Sequence, residues 1–236
     1  TNQYRLDDGR DSSTATAYKQ AFGDITDTTY TPNLSQSVLL SSNAPLTTSV
    51  SVALTVSPND TWLRVGDKNL TLTGTANSKG VGNATDNIIV GNSGDNLLRG
   101  EDGADTLYGS DGHDTLNGGA GNDLMYGGKG NDAYIVDVAT DRVIEGANEG
   151  VDTVNTYVTY TLPDNVENLV AWGTASLWLK ANNLANTITG NHSANTIYGE
   201  AGNDIINGGG GDDRIVGGLG NDTQTGGGGA DTFVFV

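Results

Sequence analysis

The sequence predicts an all-β, stacked solenoid, and three observations carry that reading. A nine-residue pattern recurs twelve times in two blocks, glycine fills its first place in eleven copies, and a large apolar residue fills its eighth place in eleven. Repetition on this scale implies a quasi-one-dimensional architecture whose units bury an apolar side only against their neighbours. The first block begins at Gly82 and restarts without a gap at Gly91, Gly100, Gly109, Gly118 and Gly127. The second has a worn copy at Ala181 and restarts at Gly190, Gly199, Gly208, Gly217 and Gly226. The eighth places read Ile89, Leu98, Leu107, Leu116, Met125, Tyr134, Ile188, Ile197, Ile206, Ile215, Gln224 and Phe233. At 35% apolar residues, chance would fill about four of these twelve places, so a structure reads that column.

Six residues of turn followed by three of strand make half a coil. Two repeats therefore close one coil, with position eight pointing inward. The blocks belong to a larger duplicated unit, because 69–137 aligns with 168–236 at a constant offset of 99. The expected organisation is a β-rich region over 1–68, a first roll unit over 69–137, a β-rich connecting insert over 138–168, and a second roll unit over 169–236. Within and beside the insert, 133–138 and 151–162 are rich in Val, Tyr and Thr and read as strand, and Pro163-Asp164-Asn165 reads as a turn. Asp137, Asp141, Glu145, Glu149 and Asp152 give the insert an acidic edge that is expected to be solvated. Over 49–56, Val50, Val52, Leu54 and Val56 alternate as in a strand, so 1–68 is expected to form a β-rich cap or the tail of a preceding domain. The run Asp7-Asp8-Gly9-Arg10-Asp11 is similar to the start of a calcium loop but lacks the full ligand spacing and the closing Glu.

Composition narrows the partners. High glycine content alone would suit a low-complexity segment, and the filled apolar column argues against that. With 29 acidic against 11 basic residues and a net charge of -18, binding to nucleic acid or an anionic membrane face is disfavoured and cations are favoured. There is no cysteine, hence no disulfide frame or thiolate metal site. No stretch is long and apolar enough to span a bilayer as a helix. The chain opens at Thr1 without a charged and apolar leader, so the expectation is that processing removed one or that export uses a signal elsewhere.

Position six carries the chemistry. It reads Asn87, Asn96, Asp105, Asp114, Asp123, Asp132, Asn186, Asn195, Asp204, Asp213, Asp222 and Asp231. Repeats two apart stack, which pairs Asp105 with Asp123, Asp114 with Asp132, Asp204 with Asp222, and Asp213 with Asp231. Calcium takes six to eight oxygen ligands, and glycine-rich turns let backbone carbonyls join the carboxylates at a common point. Asn87, Asn96, Asn186 and Asn195 face Asp105, Asp114, Asp204 and Asp213 in four weaker, mixed sites, for a total of up to about eight ions. A single Asp in such a turn ordinarily caps its own backbone. Repetition reverses that reading, because stacked carboxylates repel without a cation, and Arg99, Lys129 and Arg214 are isolated.

Catalytic machinery is not expected in this segment. Its two histidines, His113 and His192, fall in repeat turns and are expected to point outward. No His-Glu-x-x-His motif and no Gly-Lys-Ser/Thr phosphate loop occurs. Paired carboxylates could run glycoside hydrolysis, but not while they hold calcium.

The stretch Gly118-Gly119-Ala120-Gly121-Asn122-Asp123-Leu124-Met125-Tyr126 resembles the RTX nonapeptide, the hemolysin-type calcium-binding repeat. The resemblance covers about 81–135 and 181–234, and 132–137 and 160–169 look like spacers common in large secreted members. Thr85, Ser193, Ala181 and Gln224 depart from the pattern. The resemblance implies a right-handed parallel β-roll, export by a type I secretion machine through a signal not among these residues, and an extracellular, secreted or cell-surface location where calcium drives folding. The closing 229–236 resembles the point where relatives pass into a C-terminal cap, so a longer parent protein is expected. Two functions follow. One is a non-catalytic, calcium-dependent folding and stability module of a secreted protease, lipase, glycanase or alginate epimerase. The other is a polysaccharide-binding or adhesive segment of a surface or matrix protein, for which Trp62, Trp172 and Trp178 would be the sugar platforms. Core packing is the expectation for each tryptophan.

Overall fold

The computed structural model describes residues 60–63 and 66–235. The predicted strand at 49–56, the run at 7–11 and nearly all of the predicted cap lie outside the described residues. Alternation of inward and outward residues, with glycine turns between short apolar runs, gives twenty strands in the described residues and no helix. The first ten are β1 (Asp60–Trp62), β2 (Asn69–Thr71), β3 (Lys79–Val81), β4 (Ile88–Val90), β5 (Leu97–Asp102), β6 (Thr106–Asp111), β7 (Thr115–Ala120), β8 (Leu124–Lys129), β9 (Ala133–Val136) and β10 (Arg142–Ile144). The second ten are β11 (Thr153–Thr156), β12 (Tyr160–Thr161), β13 (Asn168–Ala171), β14 (Trp178–Lys180), β15 (Thr187–Thr189), β16 (Thr196–Tyr198), β17 (Ile205–Gly210), β18 (Arg214–Val216), β19 (Thr223–Gly228) and β20 (Thr232–Val234).

Successive strands alternate between two faces of a flattened spiral. The odd strands form one ten-stranded sheet in chain order, and the even strands form two five-stranded sheets, β2 to β10 and β12 to β20. Every strand pairs in parallel with the strand two places on, except β10 with β12. The chain is thus an all-β solenoid of about ten coils. One face runs unbroken through both repeat blocks, and the other is interrupted at the level of residues 145–159.

The register explains the apolar column. Leu98 sits on Leu116, Leu107 on Met125, Ile188 on Ile206 and Ile197 on Ile215. The first ten position-eight residues are at most 1% exposed. Each such burial contributes about 1.5–3 kcal/mol. Through the insert the core is continued by Val143, Val154, Tyr160, Leu162 and Val166, and just beyond it by Leu169 and Leu179. At the last coil it weakens. Gln224 is half-buried, and Phe233 is 39% exposed because β20 has a neighbour on one side only.

The structure corrects two expectations. Trp62, Trp172 and Trp178 are 57%, 37% and 44% exposed rather than packed in the core. Strand parity decides this for β14, where Leu179 takes the inward place and leaves Trp178 facing out. The acidic edge of the insert is not solvated as a whole either. Asp141, Glu145 and Asp152 are buried, Glu149 is half-buried, and only Asp137 of the five is exposed.

The offset of 99 carries β4 onto β15, eleven strands later, and so from the interrupted face to the continuous one. The two copies therefore face opposite ways.

Candidate metal centre

Each aspartate at position six ties its turn to the preceding coil through its side chain. Asp123 Oδ1 accepts the backbone N–H of Asp105 at 2.8 Å, and Asp132 Oδ1 accepts that of Asp114 at 2.7 Å. Asp105 and Asp114 bind the amides of Asn87 and Asn96 in the same way, both at 2.7 Å. In the second block Asp204, Asp213, Asp222 and Asp231 take the amides of Asn186, Asn195, Asp204 and Asp213 at 2.7–3.0 Å. The residues paired from the sequence do lie on adjacent coils, but the bond between them runs to backbone and uses only one carboxylate oxygen.

The other oxygen has no partner. Oδ2 of Asp105, Asp114, Asp123, Asp132, Asp204 and Asp213 is buried without a hydrogen bond. An orphaned buried carboxylate oxygen is costly unless something compensates it. The position-one glycines show what surrounds it. A Cβ on Gly100 would overlap both Asp105 Oδ2 and the Gly118 carbonyl oxygen, and one on Gly109 would overlap Asp114 Oδ2 and the Gly127 carbonyl oxygen. The same holds at Gly199 with Asp204 Oδ2 and the Gly217 carbonyl, and at Gly208 with Asp213 Oδ2 and the Gly226 carbonyl. Position one is glycine for room, whereas position four, as at Gly103 (φ 123°) and Gly112 (φ 121°), needs the left-handed backbone. Carboxylate and carbonyl oxygens converging on one small cradle form an all-oxygen donor set, which fits a hard cation of calcium's size.

The asparagine turns are built differently. Asn87 Oδ1 accepts the N–H of Asn83 at 2.7 Å, and Asn96 Oδ1 that of Asn92 at 2.8 Å, so the amide closes its own turn. Asn195 Oδ1 likewise takes the N–H of Asn191 at 2.9 Å, whereas Asn186 Oδ1 is buried with no partner. Asp222 and Asp231, in the last coils, are half-buried.

Burial, the largest cause, lifts the carboxyl groups of this column above the ordinary range. Asp114 and Asp123 are pushed up to about 7, and Asp105 and Asp204 to about 6, while backbone hydrogen bonds pull the other way. Asp132 and Asp213 are raised for the same reason. Without a cation, then, the fold resists the ionised form of its own ladder.

The ladder also continues through residues that the nonapeptide pattern misses. Asp141 Oδ1 accepts the N–H of Asp123 at 3.1 Å, Asp152 Oδ1 that of Asp132 at 2.8 Å, and Glu167 Oε2 that of Asp152 at 2.8 Å. Asp141 keeps the 18-residue step from Asp123 and could have been found by counting. Asp152 follows Asp132 by 20 residues, which hides it from a fixed period. His113 and His192 are exposed, as expected, and His113 Nδ1 accepts the N–H of Asn131 at 2.7 Å.

Comparison with known proteins agrees with this geometry. The RTX calcium-binding nonapeptide repeat matches residues 81–116, 99–134, 181–215, 189–224 and 208–234. Among curated proteins no match is found. The matched segments are the coils that carry the orphaned carboxylates, and the two repeat blocks, 81–134 and 181–234, are RTX-type β-roll repeats that form a calcium-binding module.

Proposed function

We propose that the chain is a calcium-dependent folding and stability module of a secreted protein, and that it carries no catalysis itself. The observation that supports this reading is the row of buried Oδ2 atoms without partners. The ligands are Asp105, Asp114, Asp123, Asp132, Asp204, Asp213, Asp222 and Asp231, with glycine carbonyls completing each site. Asn186, whose oxygen is free, is the best placed of the weaker asparagine ligands, ahead of Asn87, Asn96 and Asn195. Up to about eight ions fill the two blocks. Extracellular modules hold calcium at about 10⁻⁴ to 10⁻³ M, so these turns stay empty in a cytosol and fill outside the cell after export by a type I machine. Unloaded, the acidic column opposes compaction, and ion binding supplies the folding free energy. Far-UV circular dichroism during calcium titration tests this: β signal rises with calcium and collapses in chelator. A spectrum indifferent to calcium would overturn it.

A second reading, polysaccharide binding, is favoured by the exposed aromatic residues. Trp172 and Tyr157 meet edge to face at 5.6 Å and line a groove with Asn191, His192 and Asn207. Amphipathic rings beside amide groups suit a sugar face. Retention of neutral and acidic glycans by the calcium-loaded chain, lost in Trp172→Ala, would support it, and absence of retention on both would remove it.

A further inference from the structure

We propose that the turn of the insert, residues 145–152, together with Asp132, builds a calcium site of its own from three carboxylates: Asp132, Glu145 and Asp152. One ligand oxygen from each lies within 4.8 Å of the other two. Each carboxylate commits one oxygen to the fold. Asp132 Oδ1 takes the Asp114 amide, Asp152 Oδ1 takes the Asp132 amide, and Glu145 Oε1 accepts the Tyr134 hydroxyl. The remaining oxygens, Asp132 Oδ2, Glu145 Oε2 and Asp152 Oδ2, are buried and have no partner. The three residues are 2%, 8% and 1% exposed. None of the ion pairs among the described residues, Arg99–Glu101, Lys129–Asp111 and Lys180–Glu200, reaches them. Three acids converging on a dry point repel one another unless a cation lies between them. With oxygen the only donor and no His or Cys in the cluster, calcium fits better than zinc.

The register shows how the site arose. Ile144 pairs with Tyr126, which brings Glu145 to the level of Gly127. In the repeats that level supplies a backbone carbonyl, as Gly118 does beside Gly100. Here it supplies a carboxylate, and a Cβ on Gly127 would overlap Asp132 Oδ2, Glu145 Oε1 and the Tyr134 hydroxyl together. Calcium affinity rises with the number of charged ligands, so this site fills at a free calcium concentration about tenfold below that of the nonapeptide turns. It pins the chain at the level where one five-stranded sheet ends at β10, before the next begins at β12.

The inference extends the calcium reading of the repeats, and of their aspartates it uses Asp132 alone. Equilibrium dialysis of the full chain against graded calcium tests it. Glu145→Gln keeps an acceptor for Tyr134 and is expected to lose one ion per chain, the one taken up at lowest calcium. Asp152→Asn behaves alike, while Asp111→Asn, at an exposed residue paired with Lys129, changes nothing. Wild-type uptake by Glu145→Gln, in number and in midpoint, overturns this site and leaves the repeats untouched. No uptake by the wild-type chain overturns both readings. Should the variants fail to fold, anomalous scattering from calcium-loaded wild-type crystals decides: a peak among the three carboxylates is expected, and peaks confined to the repeat turns refute the site.

Discussion

Replacing Asp123 by asparagine separates the two roles of its carboxylate. Asp123 is 2% exposed; its Oδ1 holds the Asp105 amide at 2.8 Å and its Oδ2 has no partner. Burial raises the group from 3.8 to about 7, which at about 1.4 kcal/mol per pH unit withdraws roughly 4 kcal/mol from the metal-free fold at neutral pH. Because the folded-state value is raised, that stability is present below pH 3.8 and is lost as pH climbs through about 7. Asparagine keeps the acceptor and removes the charge. Asp123→Asn should therefore stabilise the chain in chelator at neutral pH, by up to about 4 kcal/mol, and weaken it in saturating calcium, where a ligand has been lost. Asp123→Ala removes the same charge but also bares the buried Asp105 amide, so it should be about 1–3 kcal/mol less stable than Asp123→Asn in both conditions. Urea unfolding followed by circular dichroism, with and without calcium, reads both effects. If Asp123→Asn shifts stability in the same direction in chelator and in calcium, the assignment of the free oxygen to a cation is wrong.

Two further outcomes follow from the same geometry. Acid should lower the calcium demand for folding while weakening calcium binding: the raised carboxyl groups of Asp105, Asp114, Asp123 and Asp204 carry protons below about pH 6 and lose them toward pH 7. Calcium titrations at pH 5 and pH 7.5 check this, and an unchanged midpoint would count against it. Gly100→Ala, whose Cβ would overlap Asp105 Oδ2 and the Gly118 carbonyl, should weaken one site about tenfold or more, whereas alanine at Gly228, with open space around it and no left-handed backbone, should be silent. Calorimetry with calcium distinguishes the two variants.

Much of this was legible in the sequence because one period governs both packing and chemistry. The column from Ile89 to Ile215 follows from counting nines, and so do the buried aspartates that precede it. The tryptophans were misread because size suggests a core residue, whereas in a strand parity decides, and the inward place in β14 belongs to Leu179. The insert acids were misread for a different reason. Their spacing from the repeats is 18 at Asp141 and Glu145 but 20 at Asp152, so a longer turn carries the same ladder under a broken period. The asparagine turns look like weakened aspartate turns in sequence, and only the hydrogen bonds from Asn83 and Asn92 show that the amide closes them from within.

The half-coil displacement of the second copy shapes what the molecule presents to its surroundings. Tyr108 and Tyr126 stack at 4.7 Å on one flank, and the residues 99 places later are Asn207 and Thr225, on the opposite flank. Had the duplication advanced by whole turns, each flank would have inherited a repeated motif in line with itself. Instead each is a mosaic of both ancestors, so a change that tunes one side for a partner has no twin beside it, and the two broad surfaces of the rod are free to diverge.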